Sequence, residues 1–64
     1  MTEQELDEWR YTIALLHGGE FYQSDHGGWC YKGGPTGRLW EMDRREYAVL
    51  NYLRRNKLPT EPLP

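Results

Sequence analysis

Cysteine occurs once in this chain, at Cys30, so an intrachain disulfide is excluded and noncovalent contacts alone must hold the fold. Long apolar runs are missing as well. Nothing approaches the about 18 residues that a membrane-crossing helix needs, and the opening residues carry no apolar signal-peptide segment. These absences lead to the expectation of a soluble, cytoplasmic protein in a reducing compartment, with no membrane partner. Metal and nucleotide signatures are equally scarce. His17, His26 and Cys30 lack the paired C-x-x-C or H-x-x-x-H spacing of closed zinc sites, and the loop at 33–37 lacks the Gly-Lys-Ser/Thr ending of a phosphate cradle. Asp25, His26 and Cys30 outline an activated thiol, but all three fall on one tight hairpin where no second wall could hold a substrate. The expectation is a non-enzymatic protein without cofactor or metal, working through a binding surface.

Aromatic residues and glycines are present in quantity. The 64 residues include three Trp, five Tyr and one Phe. Each such ring can bury about 150–250 Å², which makes a core sufficient at a size where folding covers only about 60% of the unfolded chain's surface. All seven glycines fall in 18–42, together with Phe21, Tyr22, Trp29, Tyr31 and Trp40. Glycine-punctuated aromatic runs of this kind read as short strands and tight turns. Strands are expected at 20–24 and 29–32, joined through Asp25, His26, Gly27 and Gly28, with a third at 38–41 after a turn at 33–37. Alternation places Trp29 and Tyr31 on one face of their strand and Cys30 and Lys32 on the other, and leaves Trp40 partly outside as a contact for a partner.

Helices are expected on either side. Thr2 and Glu5 form a capping box, so the first helix should start at Glu3, and Gly18 and Gly19 should stop it. Leu6, Trp9, Ile13 and Leu16 recur at helical spacing and are expected to face the core, which leaves Tyr11 and Leu15 on the far side as protein contacts. The second helix is expected over about 43–57, with Asp43 as N-cap and Glu46 three residues on, ending before Pro59. Met42, Val49, Leu50 and Leu53 form its expected inward face. Arg44, Ala48, Asn51 and Arg55 form the outward one, flanked by Arg45, Arg54, Tyr47 and Tyr52. The fold class expected is α+β: two amphipathic helices flanking a small antiparallel sheet of two or three strands. One compact domain should span 1–58, followed by a Pro-rich tail, 59–64, with a P-x-x-P spacing that aromatic grooves can recognise.

Net charge is −2 but divided, at −5 over residues 1–25 and +3 over 26–64. Two functions are compatible with this layout. In the first, a small regulatory or inhibitory protein docks on a larger protein through Tyr11, Leu15 and Trp40, as compact accessory proteins of phages and other mobile elements do. In the second, the arginine face of the second helix, Arg44, Arg45, Asn51, Arg54 and Arg55, contacts nucleic acid, with the chain acting as a homodimer because one small acidic monomer would hold phosphate weakly. The acidic total favours the protein partner.

Overall fold

The computed structural model describes residues 1–32 and 40–62. The chain runs α1 (Glu3–Leu16), β1 (Glu20–Gln23), β2 (Trp29–Lys32), β3 (Trp40–Met42) and α2 (Arg45–Arg55). The expected α+β order, with its third strand, is present. The turn expected at 33–37, the first half of the strand expected at 38–41 and residues 63–64 of the tail lie outside the described residues.

The start of α1 follows from local chemistry. Thr2 is in extended backbone, its hydroxyl accepts the Glu5 N–H and the Glu5 carboxylate accepts the Thr2 N–H, both at 3.1 Å. These two bonds satisfy donors that would otherwise be orphaned, and they hold the Glu5 carboxyl below its usual pKa. At the other end the Gly19 N–H donates to the Ala14 carbonyl at 2.9 Å and the Gly18 N–H to the Leu15 carbonyl at 3.1 Å, with Gly18 left-handed at φ +88°. This is the Schellman arrangement, in which glycine avoids the Cβ penalty. The end of α2 repeats it without glycine: Leu58 N–H reaches the Leu53 carbonyl at 2.8 Å, Lys57 N–H the Arg54 carbonyl at 3.2 Å, and Lys57 itself takes φ 57°.

The expected beginning of α2 needs correction. Asp43 does not cap it. β3 ends at Met42 and the chain bends at 43–44, so the N-cap residue is Arg44, at φ −136° and ψ 151°, and no side chain bonds to the first amides of the helix. Glu46 turns instead to Arg44, 3.4 Å away.

The three strands pair antiparallel in the order β1-β2-β3. Their register sets Phe21 opposite Tyr31 and Tyr31 opposite Trp40, so three aromatic residues stand abreast on the core-facing side. Tyr22, Cys30 and Glu41 form the next row, on the other face. Against the aromatic row packs α2, which supplies Ala48, Val49, Tyr52 and Leu53 to the core, while α1 supplies Ala14. The rings of Phe21, Tyr31 and Tyr52 meet one another at centroid separations of 5.6–5.9 Å, and Tyr11 adds an edge contact to Phe21 at 5.7 Å. Offset and edge-on rings at these distances add about 0.5–1.5 kcal/mol per pair to the burial term. The polar ends of Tyr31 and Tyr52 are satisfied. The Tyr52 hydroxyl donates to the His17 carbonyl at 2.9 Å, and the Tyr31 hydroxyl donates to Asn51 Oδ1, which also accepts from Arg55 Nε. Burial pushes the Tyr31 phenol above its ordinary pKa, with Arg55 acting in the opposite sense.

The helix ends generate contrasting expectations for thermal melting. Thr2→Ala should cost about 0.5–2 kcal/mol, whereas Asp43→Ala should leave stability within about 0.5 kcal/mol. Gly18→Ala should destabilise by about 1 kcal/mol and Lys57→Gly should stabilise by up to about 1 kcal/mol, because only the second substitution relieves a left-handed Cβ. A destabilised Lys57→Gly variant would contradict this account of the α2 terminus.

Candidate protein-docking surface

The close approach of the helices determines which side chains reach the surface. Ala14 and Ala48 are both fully buried. Gly19 lies so near that a Cβ there would meet the Ala14 carbonyl oxygen and Phe21 Cε2 at 2.9 Å and Tyr52 Cε1 at 3.2 Å. With four rings already filling the interior, only small groups fit where α1 crosses this region. The helix is therefore rotated by roughly 120° from the phase its apolar stripe implies. Leu6, Trp9 and Leu16, expected inside, do not belong to the described core, and of that stripe only Ile13 packs against it.

Of the three protein contacts expected from sequence, Leu15 is on the surface at 46% exposure. Tyr11 is drawn inward: it packs on Phe21, and the Arg45 guanidinium covers its ring at 4.5 Å. Trp40 is half-buried in the core-facing aromatic row, with Arg55 at 3.7 Å from its ring centroid. The structure does not bring these three together.

The expected outward stripe of α2 is also corrected. Ala48 is fully buried and Asn51 is half-buried, holding the Tyr31 hydroxyl, because the aromatic row of the sheet draws that side of α2 inward. Several of its arginines are engaged within the molecule. Arg45 forms an ion pair with Glu8 of α1, Arg44 pairs with Glu46, and Arg55 bonds to Asn51 Oδ1 at 3.2 Å while lying over Trp40. Arg44, Arg54 and Arg55 are exposed.

A different surface is assembled. Met1 and Leu16 are each 76% exposed, and Trp9 lies half-buried between them on the outer side of α1. Trp9 shares a shallow hollow of about 470 Å³ with Met1, Thr2, Gln4, Glu5, Glu8 and Thr12. One step round the helix, Leu6 lines a second depression of about 480 Å³, between α1 and α2, with Leu50 and the 51%-exposed Tyr47. Leu6 and Trp9, three residues apart, are neighbours on the helix surface, so the two hollows adjoin. Sequence reasoning missed this surface because it assigned the same stripe to the core.

The thiol is in a different setting. Cys30 is buried on the outer face of the sheet with its Sγ 3.9 Å from Glu41 Oε2, and His26 Nε2 lies 3.9 Å from the same oxygen. Burial, then the Glu41 charge, raises the Cys30 pKa. That environment opposes formation of a thiolate nucleophile. Among the described residues no three His, Cys, Asp or Glu side chains form a metal-holding group, and no helix is long and apolar enough to cross a membrane.

The chain matches no protein-family model, no curated protein and no solved structure. The geometry alone therefore bears on its role. Rotation of α1 predicts an inverted sensitivity to truncation: Leu53→Ala should cost about 2–5 kcal/mol, a large part of the stability of so small a domain. Trp9→Ala should cost less than about 1 kcal/mol, as expected of a residue outside the core. Chemical denaturation of the two variants checks this, and a Trp9→Ala loss equal to that of Leu53→Ala would contradict the observed phase.

Proposed function

We propose that this chain is a small non-enzymatic regulatory or inhibitory protein that acts by docking on a larger protein, and that the outer face of α1 is its contact surface. The observation that carries this reading is the orientation of α1. A helix whose largest apolar residues form a periodic stripe leaves Trp9 and Leu16 outside the core, sets Leu6 half-buried at the border with α2, and enters the core through Ala14 instead. Large apolar side chains gathered on one exposed helix face, rimmed by polar ones, are the usual composition of a protein interface, and a tryptophan near the centre of such a patch is a typical anchor.

The nucleic-acid reading has less support. Arg45 is paired with Glu8 and Arg44 with Glu46, and Arg55 is held against Asn51 and Trp40, so the row of five expected contacts is broken up and the charges of Arg54 and Arg55 are what remain to meet phosphate. The proposal includes a cytoplasmic setting, which suits a chain whose single cysteine is buried.

The test is capture of the partner from source-cell lysate by tagged protein. A Trp9→Ser/Leu16→Ser variant should keep its melting temperature and lose the captured protein. An Arg44→Ala/Arg54→Ala variant should retain it, and nuclease treatment should have no effect. Loss of the complex with nuclease or with the arginine variant, and its survival in the Trp9 and Leu16 variant, would overturn the proposal.

A further inference from the structure

Resting on that docking reading, we infer that the occupant of the α1 face is an amphipathic helix of a partner protein whose apolar side is flanked by lysine and arginine. The first argument is electrostatic. Around the two adjoining hollows each arginine already has an acid: Arg10 pairs with Asp7 at 3.7 Å, Arg44 with Glu46 at 3.4 Å, and Arg45 with Glu8. Glu3 and Glu5 have no cationic partner among the described residues. Glu5 accepts from Thr2, which lowers its pKa and keeps it ionised, and Glu3 is exposed at the rim of the interhelical hollow. The Met1 ammonium beside the Trp9 hollow offsets one of these two carboxylates, so the residual charge over the surface is a single negative one, and it favours a partner whose flanks are positive.

The second argument is shape. Along α1 the surface residues Glu5, Trp9, Thr12 and Leu16 follow one another at spacings of four, three and four, and span about 17 Å at the helical rise. Side chains at this period make ridges and grooves that accept the i, i+3, i+4, i+7 ridge of another helix of about three turns. The adjoining hollow, where Leu6, Tyr47 and Leu50 lie among charged side chains, continues onto α2 as a largely polar border. The same charge argues against other occupants. A second copy would bring the acids of one α1 against those of the other, and nucleic acid or an anionic lipid surface would meet carboxylates at the rim.

A titration with two synthetic helical peptides of about 18 residues, five turns long, tests this inference. One has a leucine face flanked by lysines, and the other carries glutamates in place of the lysines; calorimetry gives the affinities. The Leu/Lys peptide should bind at least about tenfold more tightly than the Leu/Glu peptide. Its affinity should fall severalfold as salt is raised. A Glu3→Gln/Glu5→Gln variant should weaken it by about fivefold or more while keeping the capping box, since Gln also serves at that position. Trp9→Ser/Leu16→Ser should abolish binding of the peptide.

Equal or tighter binding of the Leu/Glu peptide, an unaffected Glu3→Gln/Glu5→Gln variant, or no binding of either peptide would overturn the basic-helix inference. If binding of whichever peptide is taken up is still lost with Trp9 and Leu16, the docking face itself stands. Binding of the Leu/Lys peptide that survives Trp9→Ser/Leu16→Ser would instead overturn the docking face. A dimer in sedimentation that those two substitutions dissolve would identify the occupant as a second copy and overturn the inference.

Discussion

Two methyl groups and a glycine control this molecule. Because Ala14, Ala48 and Gly19 are small, the helices can close over a cluster of aromatic rings. Because the cluster is large, nothing bigger than a methyl fits where α1 crosses it. Most of the remaining structure depends on that steric match. The rings must meet edge-on, the Tyr52 hydroxyl must end at the His17 carbonyl, and α1 must turn its leucines and its tryptophan away. The unusual surface of the protein is thus a consequence of how its interior is filled.

Much of the fold was legible because it rests on local chemistry. A capping box needs only Thr2 and Glu5, a left-handed stop needs only Gly18, and short strands between glycines need only the chain around them. The orientation of each helix was not legible, since it depends on partners far away in sequence. A periodic stripe of Leu, Trp and Ile looks like an inner face unless the sheet is already known to fill the interior with Phe21 and Tyr31. The start of α2 failed for a similar reason: Asp43 is a good capping residue, but the bend that leaves β3 after Met42 places Arg44 at the N-cap. The signal that could have corrected α1 was the pair Tyr11 and Ala14, three residues apart, on a chain whose aromatics outnumber its places for large aliphatics.

The arginines illustrate how exposure and availability differ. Read as a row of charges, α2 resembles a surface made for phosphate. In the folded chain Arg45 and Arg55 lie over the rings of Tyr11 and Trp40, and Arg45 ties α2 to Glu8 of α1. A guanidinium suits this task, because its flat face stacks on a ring while its edge donates to an acid or amide oxygen. Three arginines, Arg10, Arg45 and Arg55, thus join parts of the molecule to one another.

The tie between Arg10 and the Thr60 carbonyl, 2.6 Å long and 50 residues apart in sequence, belongs with the Tyr52 contact to His17 in one respect: both join the first helix to the last part of the chain. Four of the buried core residues, Ala48, Val49, Tyr52 and Leu53, come from α2. During synthesis α1 and the sheet therefore have little to pack against until α2 appears, and loop closure over such separations must precede the gain from those contacts. Folding then waits until α2 has been made, and the apolar stripe of α1 emerges before the core that α2 completes can form.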